Sequence, residues 1–361
     1  MKKLLSILCM VLALTACKDK QEKRNDIKPT VKIGASFPLT GNMASIGTAA
    51  QKALTAAIDE VNKNPDNKYF YHLIIENDQM DPKLINSVAN KFIYQDQVNV
   101  MFSYFSIANR IMAPLAAQNK TINFSFGFGD DGLQSQYNFQ NFLTVEAENQ
   151  AVINFFRAKK IRNVDLVYQN IGAADEFLTP LLALLEQEGI TYKVHRFNKD
   201  ERDFSILVSK IKNSSSQAVF IYAFEPEADI LTKEFHQQSL SKIVAYNDGL
   251  PMTNDYDLYE GYYNIGSVLT PEQYKILWGL KGQNAAYATY LYDSGKIIVD
   301  AYEHTPTTHK VPTADEISEY LHAHEIYSGV VNNYRLDAKG QFHSAGQTTV
   351  IKNGQLTIYG E

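Results

Sequence analysis

Three glycines in one short segment form the pattern that most suggests chemistry. Gly127, Gly129 and Gly132 match G-x-G-x-x-G and follow a strand-like apolar run, and such a pattern can bind the pyrophosphate of a dinucleotide. Here it follows a late strand of its series instead of the first, and Asp130 and Asp131 would place negative charge where the phosphates would lie. A tight turn, or close approach of the backbone to a ligand, explains the glycines more simply.

Other residues with catalytic or metal-binding potential form no recognisable motif. The sequence contains no G-x-S-x-G, H-E-x-x-H or P-loop, and its two cysteines lie within the first 17 residues. His322 and His324 are two residues apart, so their side chains diverge around a helix and do not form a metal-binding pair. We therefore predict no enzymatic activity, no cofactor and no metal site.

Strand-like and helical patterns alternate along most of the chain, beginning with a β-loop-α unit at 31–62. The predicted strands are 73–76, 98–104, 122–126, 164–168, 192–197, 218–222, 242–246, 333–336 and 347–351, and the predicted helices are 82–95, 107–119, 149–159, 176–188, 204–213, 228–239, 285–303 and 313–323. Repeated βα alternation predicts an α/β fold with two doubly wound parallel sheets. Ligands of such sheets bind beyond the carboxyl ends of the strands, so function is expected in the loops there.

The first thirty residues resemble a bacterial lipoprotein signal peptide and tether. Two lysines precede an apolar run, Leu4–Leu14, that is too short to span a bilayer, and small residues precede Cys17. We expect residues 1–16 to be removed, Cys17 to carry the lipid and residues 17–30 to form a flexible tether. An ordinary signal peptide with a chance cysteine is the alternative. The protein would lie in the cell envelope, on the periplasmic side of an inner or outer membrane that the sequence does not distinguish.

Charge and hydropathy narrow the set of partners. The chain has 34 Lys and Arg against 40 Asp and Glu, a net charge of −6. An acidic chain without a basic patch predicts no nucleic-acid partner. No second long apolar run indicates a transmembrane helix, so the membrane is expected as a partner only through the lipid anchor.

Four short strings occur in a recognisable order and spacing. They are Ile33-Gly34 with Pro38-Leu39-Thr40-Gly41, Asp78 with Asp81-Pro82-Lys83, Asp203-Phe204-Ser205, and Tyr292-Asp293. These strings resemble the marker positions of type I periplasmic binding proteins, in the branched-chain amino-acid group that serves ABC importers. The resemblance covers the chain from about Val31 to Ile351.

The resemblance implies two α/β lobes joined by three hinge crossovers, with a small-molecule ligand bound in the cleft between them. Transferred to this chain, it assigns residues 31–144 and 267–328 to the first lobe. Residues 145–266 and 329–361 would form the second lobe. The expected partners of the monomeric protein are its ligand and an ABC transporter permease.

The resemblance also implies two polar ligand-binding residues. Ser106 falls where the family's amino-acid binders hold the ligand carboxylate at a helix start, and a helix N-terminus does attract anions. Asp248 falls where they place the acid that receives the ligand ammonium. The alternatives are that Ser106 only caps its helix and that Asp248 is an ordinary turn residue before Gly249.

Loops at the predicted cleft supply further candidate contacts. Gly127 and Gly129 would offer backbone groups, and Tyr104, Phe128 and Phe224 would offer aromatic contact area. Core packing is an equal alternative for each aromatic residue.

Two departures from the family pattern bear on the ligand. The position of a ligand-contacting threonine is Gly129, and a pocket tyrosine is replaced by a residue near Ala173. Acidic residues are frequent in the predicted cleft loops, namely Asp130, Asp131, Asp175, Glu225, Glu227 and Asp248. Acids that face the cleft would favour a cationic or polyhydroxylated ligand, whereas others would only face solvent.

These inferences predict a lipid-anchored solute-binding protein that captures a small polar ligand, amino-acid-like or cationic, and delivers it to an ABC importer. The alternative is a regulatory or sensor lipoprotein with the same fold that acts through a protein partner.

Overall fold

A computed structural model gives the fold of most of the chain. The described residues are 28–41, 43–127, 129–130, 132–250, 255–267, 285–329 and 333–360. The expected signal peptide, Cys17, Phe128 and Asp131 lie outside these ranges. Within them, no helix has both the length and the apolar character required to cross a bilayer.

The first part of the chain builds one parallel sheet by βα alternation. Its elements are β1 (Thr30–Phe37), α1 (Ala44–Asn62), β2 (Phe70–Asn77), α2 (Pro82–Asn90), β3 (Val100–Tyr104), α3 (Ser106–Gln118), β4 (Ile122–Phe126) and β5 (Asn138–Asn141). The spatial order is β5-β4-β3-β1-β2. Helix α2 starts where the sequence places Asp81-Pro82, because the Asp81 side chain accepts from the backbone N–H groups of Lys83 and Leu84.

The second part of the chain repeats this construction in a separate sheet. Its elements are α4 (Val145–Ala158), β6 (Asn163–Gln169), α5 (Gly172–Gln187), β7 (Thr191–Phe197), α6 (Ser205–Lys212), β8 (Ala218–Tyr222), α7 (Glu227–Gln237), β9 (Ile243–Tyr246) and β10 (Tyr263–Gly266). These five strands are parallel, in the order β10-β9-β8-β6-β7.

The remaining elements extend both sheets. They are α8 (Ala285–His304), α9 (Ala314–Ala323), β11 (Ile326–Ser328), β12 (Asn333–Leu336), β13 (Gln341–His343), β14 (Gln347–Lys352) and β15 (Gln355–Ile358). Strands β11, β12 and β13 join the first sheet next to β5, whereas β14 and β15 join the second sheet next to β10. Helix α8 packs along α1. Strand β12 in the first sheet and β14 in the second are antiparallel to their neighbours.

Sheet membership therefore changes three times along the chain. The changes lie at residues 142–144, between Gly266 and Ala285, and at residues 344–346. We call these stretches the first, second and third crossovers. The predicted fold class, two doubly wound sheets with three crossovers, is confirmed.

The expected assignment of all residues after 328 to the second lobe is wrong for β12 and β13. Residues Gln341 and Phe342 pair in parallel with Gln140 and Asn141 of the first sheet. The third crossover thus lies at 344–346 instead of near 329. The strand pattern at 333–336 does not record which sheet that strand joins, and the short β13 gave no pattern at all.

The two faces of the first sheet differ in composition. One face carries stacked aromatic rings, with centroid separations of 5.7 Å for Phe102 and Phe124 and 5.5 Å for Phe124 and Phe139. The other face carries buried polar residues that lie under α3, including Ser103 and Asn138, whose Nδ2 donates to the backbone of that helix. The aromatic face is buried in the hydrophobic core. The polar face lies under α3 and extends toward the start of that helix.

Candidate ligand-binding site

Helix α3 starts at Ser106, immediately beyond the carboxyl end of β3. Phe105, the residue before it, has φ 70° and ψ 152°, a conformation that L-residues rarely adopt. The backbone N–H of Phe105 donates to the carbonyl of Phe126 at the end of β4, at 2.7 Å. This strained turn holds the N-terminus of α3 beside the loop that follows β4, and such strain is typical of functional sites.

Gly127 is the first residue after β4, and it faces the start of α3. A methyl group at Gly127 would lie 2.9 Å from the backbone nitrogen of Ser106 and 3.1 Å from its Oγ. Its φ of 157° is also unfavourable for a side chain. The structure therefore brings the predicted residues Ser106 and Gly127 together, where the first turn of a helix concentrates N–H groups and positive potential. The arrangement is suited to an anionic group.

Asn109 is a second polar side chain at this point, and sequence reasoning missed it. Its Oδ1 accepts from Ser103 Oγ at 2.9 Å, and its side chain is fully buried. A methyl group at Gly127 would lie 3.0 Å from Asn109 Nδ2, and this nitrogen has no hydrogen-bond partner among the described residues. Nothing in the local sequence distinguishes it from a surface asparagine one turn into a helix.

The other two glycines of the G-x-G-x-x-G pattern serve the packing of their loop. The carbonyl of Gly129 accepts from Gln140 Nε2 at 2.7 Å, and Gly129 has φ 77°. A methyl group at Gly132 would lie 2.0 Å from Ser125 Oγ. The loop thus lies directly on β4 and β5, as expected for glycines that permit close backbone approach.

Asp248 follows β9 at the equivalent edge of the second sheet, but its side chain is only 1% exposed. Its carboxylate accepts from the backbone N–H of Ser267 at 2.8 Å and from Ser267 Oγ at 2.6 Å. Its own N–H donates to Glu148 Oε1 at 3.1 Å. The predicted ammonium acceptor therefore belongs to an interior pair of acids, and sequence reasoning gave no signal for Glu148, which lies 100 residues away.

Both acids of this pair have raised pKa values. Burial raises the pKa of Asp248 to about 7, against the lowering effect of the two Ser267 hydrogen bonds. Burial, and then repulsion from Asp248, raise the pKa of Glu148 well above its usual value. Two adjacent carboxyls out of contact with water cannot both ionise readily.

The remaining acids of the predicted cleft have diverse surroundings. Glu227 is 1% exposed and accepts from Gln169 Nε2, the Asp200 N–H and Arg202 Nη1 at 3.0, 2.9 and 2.7 Å. Burial raises its pKa, but the hydrogen bonds from Arg202 and Asp200 outweigh burial and hold the pKa below the usual value. The Asp175 side chain is 62% exposed, and Asp130 is exposed. These acids do not form one continuous acidic surface.

The two described aromatic candidates also differ. Tyr104 is 3% exposed and packs against Phe37 and Phe105 at centroid distances of 5.8 and 4.6 Å, so its surroundings are those of a core residue. Phe224 is half-buried, and its ring lies against Gly249, where a methyl group would lie 2.7 Å from Phe224 Cδ1. Phe224 and Asp248 thus share the edge of the second sheet.

Comparison with known proteins agrees with this fold. A family model described as periplasmic binding protein matches residues 30–255. The Leu/Ile/Val-binding protein homolog 1 of Brucella abortus (strain 2308) is 30% identical over 230 residues, which are 61% of this chain and 61% of that protein. The chain thus spans about three fifths of the length of the curated relatives it matches.

Two solved structures share the fold. The branched-chain amino acid transporter substrate binding protein from Streptococcus pneumoniae, in complex with isoleucine, has a TM-score of 0.74 and 18% identity over 91% of this chain and 97% of that one. A solute binding protein of an ABC transporter from Rhodopseudomonas palustris, in complex with 3,4-dihydroxy benzoic acid, has a TM-score of 0.74 and 18% identity over 91% and 95%. Since the family model covers more than half of the sequence, this chain belongs to the periplasmic binding protein family.

Proposed function

We propose that this protein is a lipid-anchored, extracytoplasmic solute-binding protein that binds a small carboxylate, amino acids included, and delivers it to an ABC importer. The observation that carries the proposal is the meeting of Ser106 and Gly127 at the N-terminus of α3. A carboxylate there would accept hydrogen bonds from the helix N-terminus and the serine hydroxyl.

The fold neighbours support a carboxylate as the ligand class. One was solved with isoleucine and the other with 3,4-dihydroxy benzoic acid, and the two ligands share a carboxylate although only isoleucine has an amine. In this chain the first turn of α3 offers positive potential that would favour an anion, whereas Asp248 is already hydrogen-bonded to Ser267. An amino-acid ligand would have to compete with Ser267 for Asp248.

The organisation of the protein follows from the same proposal. Residues 31–144 and 267–343 would form one lobe, residues 145–266 and 344–361 would form the other, and the ligand would bind between them. Cys17 would carry the lipid anchor and hold a monomer close to the membrane. Closure on the ligand would then create the form recognised by the permease.

The test is thermal unfolding of the full-length chain in detergent, followed by circular dichroism, with a panel of ligands. The panel contains α-amino acids, aromatic and aliphatic carboxylic acids, polyamines and sugars. A ligand at 100 times its Kd stabilises the native state by about 2.7 kcal/mol. Stabilisation by a carboxylate that is reduced in Ser106→Ala supports the proposal.

Three outcomes of the panel would distinguish the ligand classes and the alternative function. Amino acids that stabilise the protein more than their deaminated analogues would restore Asp248 as the ammonium acceptor. Stabilisation by polyamines alone would contradict the carboxylate assignment. A panel without effect would favour the regulatory alternative, in which the protein acts through a protein partner.

A further inference from the structure

Residues that adjoin the three crossovers pack together at one point, which we call the junction. A methyl group at Gly346, in the third crossover, would lie 3.1 Å from the carbonyl oxygen of Ala147 in α4 and 3.5 Å from that of Gly266. A methyl group at Gly266 would lie 2.3 Å from Asp248 Oδ1. The start of α4, the end of β10 and the third crossover thus touch, with Asp248 against them.

A chain of hydrogen bonds passes through the junction. Tyr290 on α8 donates to Ser267 Oγ at 3.2 Å, and Ser267 donates to both carboxylate oxygens of Asp248. The Asp248 N–H donates to Glu148 Oε1 at 3.1 Å. Helix α8 packs on α1, and α4 packs on α5 and β10. These hydrogen bonds therefore connect the helices of one sheet to those of the other.

The hydrogen bonds indicate which acid carries a proton. Asp248 accepts two strong hydrogen bonds, from an N–H and a hydroxyl, and this environment favours its ionised form. Glu148 accepts a single backbone N–H from Asp248, and both side chains are 1% exposed. Asp248 therefore ionises first, and a neutral Glu148 beside an ionised Asp248 leaves one buried charge instead of two.

The groups around the pair do not supply a titration of their own near neutral pH. Burial raises the pKa of Tyr222 on β8 and of Tyr290 on α8 above the usual value of a tyrosine, and the negative charge of the pair on Tyr222 and of Asp248 on Tyr290 raises it further. Glu176 on α5 acts on Tyr222, and Asp293 on α8 acts on Tyr290. Among the described residues, the charges that act on these two tyrosines are acidic, so they also oppose a second buried negative charge.

We propose that the buried Glu148 keeps a proton beside Asp248 at the junction, and that loss of this proton at rising pH loosens the link between the two sheets. When the junction is intact, Glu148 binds a proton that it would lose in water. The intact junction thus holds more protons than the loosened one, and its stability falls as pH rises above the usual value of a glutamate. The stabilisation of the junction by the protonated Glu148 is fully present in acid. Its loss is complete once Glu148 is ionised in both the intact and the loosened junction.

The first test compares Glu148→Gln with wild type and with Glu146→Gln. Glutamine keeps the Oε1 acceptor but cannot ionise, and Glu146 is an exposed acid in the same first turn of α4. We expect the Tm of Glu148→Gln to equal that of the wild type near pH 5 and to exceed it by about 3 °C or more near pH 8. Glu146→Gln should follow the wild type at both pH values.

The second test measures the junction itself by hydrogen exchange. The Asp248 N–H bonds directly to Glu148, so its protection factor reports this contact. In the wild type the protection factor should fall by up to tenfold per pH unit between about pH 5 and 8. In Glu148→Gln the fall should be clearly smaller, because only Asp248 can still ionise there, while amides in the centre of β8 should show no change in either protein.

Each outcome decides the proposal without any ligand. Equal pH dependence of protection in wild type and Glu148→Gln overturns it, as does a Tm difference that is independent of pH. If Glu148→Gln does not fold, infrared spectroscopy of the wild type at pH 7 replaces it. A carbonyl band from a buried protonated carboxyl that disappears as pH rises supports the proposal, and absence of the band in the wild type overturns it.

Discussion

The carboxyl ends of the central strands look alike in the two sheets by sequence but differ in structure. Beyond β3 and β4, Ser106 and Asn109 gather hydrogen-bond donors around Gly127, and the strained Phe105 holds them in place. Beyond β8 and β9, Glu227 and Asp248 are acceptors whose partners come from the protein itself. The edge of the first sheet presents donors suited to an anion. The acids at the edge of the second sheet are hydrogen-bonded to the protein's own loops and crossovers.

This difference teaches that an acidic residue in a cleft loop is not by itself a ligand contact. Asp248 and Glu227 are both 1% exposed, yet burial dominates the pKa of the first and hydrogen bonds dominate that of the second. The carboxylates hold the second sheet's edge together, so binding specificity is expected to lie mainly at the first.

Gly127→Ala is the substitution that should weaken anion binding at the first edge most strongly. Its methyl group would lie within 3.1 Å of both the backbone nitrogen and the hydroxyl of Ser106, so it would cover the donors of the first edge. We expect complete loss of the stabilisation by the carboxylate, about 2.7 kcal/mol at 100 times the Kd. The measurement is the Tm of each variant with and without ligand.

The matched control for this substitution is Gly172→Ala at the start of α5. A methyl group there meets no atom within 4 Å, and the ligand-dependent shift should be retained. Retention of the shift in Gly127→Ala would show that the anion does not bind at α3.

Glu227→Gln tests the claim that acids of the second edge serve the fold. The substitution removes the charge that faces Arg202 and one of two carboxylate acceptors, and should cost about 2 kcal/mol of unfolding free energy near neutral pH. Because the pKa of Glu227 is lowered in the folded state, its contribution is present above pH 4.5 and is lost as pH falls through the folded value. The destabilisation caused by the variant should therefore shrink in acid.

Urea unfolding at pH 6 and pH 3 measures this effect. Glu234→Gln, two turns further along α7, is the control, because its side chain bonds only within that helix region. A destabilisation by Glu227→Gln that does not depend on pH would contradict the assigned role of the ionised carboxylate.

Ser106→Ala sharpens the comparison by separating the hydroxyl from the helix N-terminus. The backbone N–H remains, so the ligand should bind about tenfold more weakly and not be lost, consistent with about 1.4 kcal/mol for one hydrogen bond to a charged group. Isothermal titration with the stabilising carboxylate gives the two Kd values. Ser205→Ala, at the first residue of α6, should leave the Kd unchanged, and an unchanged Kd in Ser106→Ala would reduce Ser106 to a structural residue.

Most of the fold could be predicted because its elements carry strong local patterns. The strands at 122–126, 218–222 and 333–336 have the predicted bounds. Strand β5 was missed since Asn138–Asn141 reads as three amides around one phenylalanine, and β13 was missed for a similar reason. Their burial depends on neighbours far along the chain, which no local pattern records.

The sequence predicted which loops form the candidate site, but not which residues pair within it. The pattern of a strand followed by a helix locates Ser106, and the glycines locate the facing loop. By contrast, the pairing of Asp248 with Glu148 and Ser267 joins residues from three separate segments. The orientation of Asp248 is set by where the crossovers meet, and a single sequence gives no measure of that.

Asp175→Asn has the smallest expected effect and tests the exposed acids. The Asp175 side chain is 62% exposed and lies 3.8 Å from a half-exposed Arg196 guanidinium, and such surface pairs contribute little because water and salt screen them. We expect the Tm to change by less than about 1 °C, and the Kd of the carboxylate by less than about twofold. A cationic ligand that binds much more weakly to Asp175→Asn would instead show that the exposed acids select the ligand, and the second edge would then share the recognition assigned here to the first.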